Sequence, residues 1–204
     1  HRLGEPISAR VIAKFIEVSK YNEVIVVDLH NDAIVGFFQI PVVNLSALSV
    51  IAEELKKHDL ANAVVISPDV GGVKRARNLA YLLDLPMIVM EKKRFLDKQD
   101  QSEAMQIIGT VKGKTAIIID DVISTGSTTA NSARALNDAG AKKIIVAATH
   151  GVLAGDAIKN LKFAPIDTII LSDTIHIPKK KYLPNMTFVS VAHLIADAIS
   201  SMIG

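Results

Sequence analysis

The sequence has no cysteine and no tryptophan among its 204 residues. Without cysteine the chain can form neither disulfides nor thiolate metal sites, which excludes the disulfide-rich secreted proteins and suits a reducing compartment. No apolar run approaches the roughly 18 residues of a membrane-spanning helix, and no signal peptide is recognisable before the first helix. We therefore expect a cytoplasmic protein with no membrane partner.

Aromatic residues and net charge are also scarce. Aromatic residues make up 4% of the chain, whereas 50% is hydrophobic, chiefly Val, Ile, Leu and Ala. This composition favours alternating parallel strands and helices over a β-sandwich. The net charge of +2 is too small to indicate a nucleic-acid partner, and the basic run Lys179-Lys180-Lys181 is typical of a solvated loop.

Apolar runs of strand length alternate with helical patterns along the chain. The alternation predicts an α/β fold, a parallel sheet flanked by helices and joined by right-handed crossovers. The predicted strands are 23–29, 63–67, 87–91, 115–120, 143–149, 168–172 and 187–191. The predicted helices are 8–19, 47–58, 73–83, 127–139, 156–161 and 193–202. We also expect a hinge near Ile40–Asn44 and a mobile loop at Gln99–Ser102.

The most specific feature lies between the fourth strand and its helix. A β-branched run ends in Asp120-Asp121, and a turn of small residues, Ser124-Thr125-Gly126-Ser127-Thr128, opens the helix. Small side chains let backbone N–H groups turn toward a phosphate at the positive end of the helix. Carboxylates at the end of a parallel strand can accept hydrogen bonds from two sugar hydroxyls. The pattern predicts a site for a phosphorylated ribose, with simple strand and helix capping as the alternative.

Charged side chains follow three other strands. Asp28 and His30 stand two residues apart, which predicts a shared face and a shared metal or phosphate, although a plain hydrogen-bonding histidine is the alternative. Asp69 precedes two glycines and suits Mg²⁺, unless it only builds a Pro-Asp turn. Lys92 and Arg94 could offset charge on a transferring phosphoryl group, or form a solvated basic turn.

In their order these motifs resemble the ribose-phosphate diphosphokinases, also called phosphoribosyl-diphosphate synthetases, which have the type I phosphoribosyltransferase fold. The resemblance runs along essentially the whole chain. The segments that carry it are Gly4–Ala9, Asp28–His30, Gly36–Pro41, Ser67–Gly72, Lys92–Arg94, Ile107–Gly109, Asp120–Thr128 and Ala148–Gly151.

The resemblance implies a Mg²⁺-dependent transfer of the diphosphoryl group of ATP to the 1-hydroxyl of ribose 5-phosphate, giving phosphoribosyl diphosphate and AMP. It also implies a homo-oligomer, hexameric or dimer-based. The implied metal-site residues are His30, Asp69 and Asp28, and the implied catalytic cations are Lys92 and Arg94. The residues implied to hold ribose 5-phosphate are Asp120, Asp121, Ser124, Thr125, Gly126, Ser127 and Thr128.

The chain departs from the family pattern in three residues and in its extent. Ser124, Gln39 and Val43 stand where members often have Asp, which removes a charge at each position. Members also carry further residues, including an adenine-binding segment, ahead of the start of this chain. We therefore expect residues 1–40, with 192–204 packing back onto them, to be the remainder of an amino-terminal domain whose other part is missing or is supplied by a partner. Residues 41–191 would form a complete carboxyl-terminal domain.

Two other functions fit parts of the pattern. A phosphoribosyltransferase that consumes the activated sugar would share only the stretch Asp120–Thr128. A non-catalytic associated subunit would keep the fold and regulate a partner, but such a subunit has no physical need for His30, Asp69, Lys92 and Arg94 together.

Overall fold

The computed structural model of the chain describes residues 7–94 and 103–203, with the backbone alone described at 92–94 and 103–104. The helices are α1 (Ser8–Val18), α2 (Leu48–Leu55), α3 (Val73–Leu83), α4 (Ser127–Asp138), α5 (Ala157–Lys162) and α6 (Ala192–Ile203). The strands are β1 (Val24–Val27), β2 (Val42–Leu45), β3 (Ala63–Ser67), β4 (Met87–Arg94), β5 (Glu103–Ile108), β6 (Thr115–Ile123), β7 (Lys143–Gly151), β8 (Thr168–Ser172) and β9 (Met186–Val189). The chain divides into a smaller unit, up to Ala47 and from Val191 onward, and a larger unit, Leu48–Ser190.

The larger unit is built on a seven-stranded sheet with the strand order β5-β4-β3-β6-β7-β8-β9. All neighbouring strands pair in parallel except β5, which pairs antiparallel with β4 at the edge. All five residues of β3 are buried, as expected for a parallel strand covered by helices on both faces. The predicted fold class, a mainly parallel sheet flanked by helices, is confirmed.

The central strands β6 and β7 are longer than the sequence predicts. Their pairing continues to Ile123 and Gly151, whereas β3 follows β6 only as far as Ile118. Because of this extension, Asp120 and Asp121 lie within a paired strand rather than in a loop. The sheet backbone therefore fixes their positions.

The smaller unit contains a second, two-stranded sheet. Strand β1 pairs in parallel with β2, from Val24 with Val42 to Val27 with Leu45, and α6 contacts β2. The last residues of the predicted hinge at Ile40–Asn44 lie in β2 and pair with β1, and the hinge itself stays a prediction. The predicted domain boundaries at residues 40 and 191 stay predictions.

Strand β5 is the second element that the sequence patterns miss. Its residues lack an apolar alternation, and it forms as the antiparallel edge partner of β4, with Val89 opposite Ile108. The predicted loop at Gln99–Ser102 lies outside the described residues. Helix α3 has the predicted bounds, and α2 ends at Leu55, three residues before the predicted end.

We expect Ile118→Ala to destabilise the protein by about 2–5 kcal/mol, because it leaves a cavity in a closely packed core. Ile118 lies in the central strand, is 1% exposed, and belongs to the apolar cluster of the larger unit. Urea unfolding measures the loss. The control is Tyr81→Ala on α3, at a side chain 86% exposed, which should change stability by less than about 0.5 kcal/mol. Equal losses in the two variants would contradict this assignment of the core.

Candidate functional site

Two adjacent aspartates lie near the carboxyl end of β6. Asp120 is partly exposed, whereas Asp121 is 3% exposed. Asp120 Oδ1 accepts a hydrogen bond from the Asp121 N–H at 2.9 Å, and Asp121 Oδ1 accepts one from the Val122 N–H at 3.0 Å. These bonds tie both side chains to the strand backbone, so the carboxylates are oriented before a ligand arrives.

A guanidinium from α3 faces this pair. Arg75 Nη1 lies 3.8 Å from Asp120 Oδ1, and Arg75 Nη2 lies 3.4 Å from Asp121 Oδ2. Both distances exceed the roughly 2.7–2.9 Å of a charge-assisted hydrogen bond. Arg75 therefore forms ion pairs with the two carboxylates without strong hydrogen bonds to them.

Arg75 is a site residue that the sequence analysis missed. The only local signal is its position just after the two glycines at the tip of β3. The information that matters is tertiary, because β3 lies next to β6 in the sheet and α3 follows directly from β3. A search for cations at the tips of neighbouring strands would have found Arg75 once the strand order was known.

Burial raises the pKa of Asp120 from 3.8 to about 7. The side chain and charge of Asp121 act in the same direction as burial, whereas the Asp121 N–H and the Arg75 guanidinium oppose them, and the pKa of about 7 is the net result. The folded chain thus holds the Asp120 proton more tightly than the unfolded chain does. Asp120 contributes stability at low pH, and that contribution is lost as the pH rises from about 4 to about 7. The site can therefore exchange a proton close to neutral pH.

The loop Ser124–Thr128 leads from β6 into α4. Gly126 has a left-handed φ of 71°, and a Cβ there would lie 3.2 Å from Leu161 Cγ and 3.3 Å from the Ala157 carbonyl oxygen. Glycine suits this position because it adopts a left-handed φ without strain and has no Cβ to make these contacts. Within the described residues, the first N–H after the loop with a backbone acceptor is that of Ala130, which donates to Gly126 O at 2.9 Å. The earlier N–H groups can therefore donate to an anion at the positive end of α4.

The segment after β7 donates hydrogen bonds to this loop. The Ala154 N–H donates to the Ser124 carbonyl at 2.9 Å. Asn160 of α5 donates through Nδ2 to the Thr125 carbonyl at 2.9 Å and lies 3.3 Å from Ser127 Oγ. Asn160 is a second residue that the sequence analysis missed, because nothing in its own helix marks a partner 35 residues earlier.

Asp69 lies at the exposed tip of β3, directly before α3. Its Oδ1 accepts a hydrogen bond from the Gly72 N–H at 2.8 Å, and its carbonyl accepts one from Ser67 Oγ at 2.7 Å. The turn that the sequence analysis offers as the alternative is therefore present. An exposed carboxylate at a strand tip also fits Mg²⁺, which takes one or two carboxylates and otherwise keeps water and phosphate oxygens.

Asp28 and His30 belong to the smaller unit. Strand β1 ends at Val27, and Asp28 has a left-handed φ of 44°, so the strand alternation that would place both side chains on one face does not extend to them. Asp28 Oδ1 accepts a hydrogen bond from Ser46 Oγ at 2.8 Å, and Asp28 Oδ2 accepts one from the Ala47 N–H at 2.9 Å. His30 is exposed.

No cluster of three or more His, Asp or Glu side chains able to hold a metal ion occurs in the part of the chain that the structure describes. The metal role of His30, Asp69 and Asp28 stays a prediction. His30 and Asp28 lie in the smaller unit and Asp69 in the larger one.

Lys92 and Arg94 lie near the end of β4. Their backbones pair antiparallel with those of Met105 and Glu103, so the basic turn offered as an alternative is wrong. The structure describes the backbone alone at these positions, and their side chains lie outside the described atoms. Their catalytic role stays a prediction.

Comparison with known proteins identifies the relatives of this chain. The family described as "Phosphoribosyl synthetase-associated domain" matches residues 94–203. Ribose-phosphate pyrophosphokinase 1 of Streptococcus pyogenes is 42% identical over 200 residues, which cover 97% of this chain and 62% of that protein. Its Streptococcus pneumoniae counterpart is 40% identical with the same coverage. The chain thus spans less than two thirds of the length of these relatives.

A solved structure agrees with the sequence comparisons. The crystal structure of phosphoribosylpyrophosphate synthetase from Mycobacterium smegmatis superposes with a TM-score of 0.91 at 36% identity, covering 100% of this chain and 66% of that chain. The resemblance drawn from the motifs is thereby confirmed. The chain belongs to the phosphoribosyl synthetase-associated domain family, and it is similar to the ribose-phosphate pyrophosphokinases.

Proposed function

We propose that the protein acts in the synthesis of phosphoribosyl diphosphate, by Mg²⁺-dependent transfer of the diphosphoryl group of ATP to ribose 5-phosphate. One observation carries the proposal. At the end of β6, two oriented carboxylates, Asp120 and Asp121, are followed within a few residues by the donor-lined loop Ser124–Thr128. A sugar phosphate requires both parts, because its hydroxyls need acceptors and its phosphate needs donors.

The two parts would hold the sugar at opposite ends. Asp120 and Asp121 would accept hydrogen bonds from the ring hydroxyls, while the N–H groups and hydroxyls of Ser124–Thr128 would bind the 5-phosphate. A sugar held at both ends presents its 1-hydroxyl in a fixed direction. This fixed orientation lowers the entropic part of the reaction barrier, because the 1-hydroxyl is already held in place when ATP binds.

The proposed reaction needs charge control rather than a nucleophilic side chain. The oxygen of the 1-hydroxyl forms a bond to the β-phosphorus of ATP, the bond from that phosphorus to the α–β bridging oxygen breaks, and AMP leaves while the hydroxyl proton is released. Lys92 and Arg94 would offset the charge that develops on the transferred group. Both residues are proposed from the resemblance alone.

Magnesium, when bound, would neutralise the phosphate oxygens of ATP. Asp69 fits a single carboxylate ligand, because it is exposed at a strand tip of the larger unit. Asp28 already accepts two protein hydrogen bonds, so its proposed contribution is weaker than that of Asp69.

Homo-oligomeric assembly and a cytoplasmic location also stay proposals. Within residues 7–94 and 103–203, no helix has both the length and the apolarity needed to cross a membrane.

We expect the protein, mixed with ATP, Mg²⁺ and ribose 5-phosphate, to form AMP and phosphoribosyl diphosphate in equal amounts. Phosphorus NMR follows both products. Lys92→Ala should lower turnover by about 10³-fold, because it removes a cation from the developing charge, and it should leave ribose 5-phosphate binding intact. Release of pyrophosphate from phosphoribosyl diphosphate and a nucleobase, with no AMP from ATP, would instead indicate a phosphoribosyltransferase.

We expect the double variant Asp120→Asn with Asp121→Asn to bind ribose 5-phosphate about 10- to 100-fold more weakly, because each hydrogen bond to a charged acceptor contributes about 1.5–3 kcal/mol. Isothermal calorimetry measures the affinity. Asp138→Asn, at an exposed residue of α4, is the matched control and should bind as the wild type does. Unchanged affinity in the double variant would refute the assignment of the aspartate pair.

We expect Gly126→Ala to weaken ribose 5-phosphate binding by about tenfold or more, because a Cβ at a positive φ strains the backbone and would press on α5. Gly113→Ala is the matched control, since Gly113 has a nearly equal φ of 72° with nothing within 4 Å of its Cβ position. Gly113→Ala should lose about 1 kcal/mol of stability in urea from the positive φ alone, and Gly126→Ala should lose more because its Cβ also contacts α5. If Gly113→Ala weakens binding equally, the effect does not come from the loop.

A further inference from the structure

Arg75 occupies a position that its own helix does not favour. It lies in the first turn of α3, which begins at Val73, where the helix dipole is positive and a cation is unfavourable by about 0.3–1 kcal/mol. Its side chain is only 16% exposed, and removing a charged group from water has a further cost. Something outside the helix must therefore offset these costs.

The two carboxylates of β6 provide that compensation. The guanidinium nitrogens lie 3.8 Å from Asp120 Oδ1 and 3.4 Å from Asp121 Oδ2, so one cation faces two anions. Neither distance corresponds to a strong hydrogen bond. Arg75 thus supplies charge to the pair through ion pairs rather than through strong hydrogen bonds.

We propose that Arg75 is a positioning residue that balances the charge of the Asp120–Asp121 pair and so favours the ionised Asp120 carboxylate as an acceptor for a ribose hydroxyl. The proposal rests on the function proposed above. It adds a residue from a neighbouring element, outside the family motif of β6 and α4, that controls the charge of the sugar site.

The charges around Asp120 make this role testable through pH. Asp121 on its own strand and Arg75 on α3 are the charges that act on the pKa of Asp120. On β7 its paired residue is the uncharged Ala148, and His150 hydrogen-bonds through Nδ1 to Thr174 Oγ1 at 2.9 Å. At the end of β3, the Asp69 carboxylate accepts a hydrogen bond from the Gly72 N–H in the turn before α3.

The sign of the effect follows from these charges. Arg75 lowers the pKa of Asp120, so removing the guanidinium should raise that pKa above its value of about 7. A protonated Asp120 loses the charged acceptor that the sugar needs. Affinity for ribose 5-phosphate should therefore rise with pH in every form of the protein. The midpoint of this rise should lie at a higher pH when Arg75 is absent.

The experiment compares Arg75→Gln, Arg75→Lys and Arg77→Gln with the wild type, using calorimetric affinity for ribose 5-phosphate from pH 6 to pH 9. Arg77 is exposed on the same helix, so its variant removes the same charge without facing the aspartates. The phosphate of the ligand ionises near pH 6, and this contribution is common to all four proteins. Urea unfolding of each variant confirms that it folds.

We expect Arg75→Gln to bind about tenfold more weakly at pH 7, because an opposite charge close to a carboxylate strongly favours its ionised form, and to recover affinity at higher pH. Arg75→Lys should restore part of the wild-type profile, and Arg77→Gln should match the wild type. A uniform loss of affinity in Arg75→Gln, with an unshifted pH midpoint, would show a merely structural role and overturn the proposal. Unchanged affinity at every pH would also overturn it.

A second measurement separates this inference from the proposed function. Carbon NMR titration of the Asp120 carboxyl in the ligand-free protein, assigned with Asp120→Asn, should show a higher midpoint in Arg75→Gln than in the wild type. A wild-type chain that binds no ribose 5-phosphate at any pH would refute the proposed function and, with it, the role toward ribose. An unshifted carboxyl midpoint in Arg75→Gln would refute the inference alone.

Discussion

The candidate site depends on the pairing of β6 with β7 beyond the point where β3 leaves the sheet. This pairing keeps Asp120 and Asp121 within a strand, where the N–H of the next residue fixes each carboxylate. Two anionic groups are thus held close to a loop that would bind a third anion, the phosphate. The arrangement is possible because the loop begins only after β6 ends and its N–H groups lie at the positive end of α4.

The charge of the two aspartates at the end of β6 is the second factor on which the candidate site depends. Burial of the aspartate pair raises the pKa of Asp120 to about 7, and Arg75 opposes that increase. The pair therefore carries less charge near neutral pH than its composition suggests. A sugar hydroxyl that donates to Asp120 would favour the ionised carboxylate, so substrate binding and proton release become linked in the proposed function.

The loop owes its shape to elements on both sides of it. Gly126 provides the left-handed turn, and a Cβ there would make tight contacts with Leu161 and the Ala157 carbonyl of α5. Asn160 and the Ala154 N–H donate hydrogen bonds to two loop carbonyls, those of Thr125 and Ser124. The proposed phosphate site thus depends on the β7–α5 connection as well as on its own residues.

Local signals explain what the sequence predicted well. The bounds of α3 and the end of the buried strand β3 depend on periodicity and on nearby Pro and Gly, and the Asp-Asp pair with its small-residue loop lies within one short stretch. The sequence patterns miss the strands β2 and β5, since each is held by pairing with another strand rather than marked by its own residues. The hydrogen bonds of Asp28 with Ser46 and Ala47 were missed for the same reason.

The amino-acid sequence by itself determined the α/β class, the family resemblance and the residues Asp120–Thr128, because neighbours along the chain encode all three. The tertiary structure alone decided that Arg75 faces the aspartates and that Asn160 holds the loop. Ion pairs and hydrogen bonds between separate elements depend on the order of strands in the sheet, and strand order is set by packing of the whole unit rather than by any local pattern.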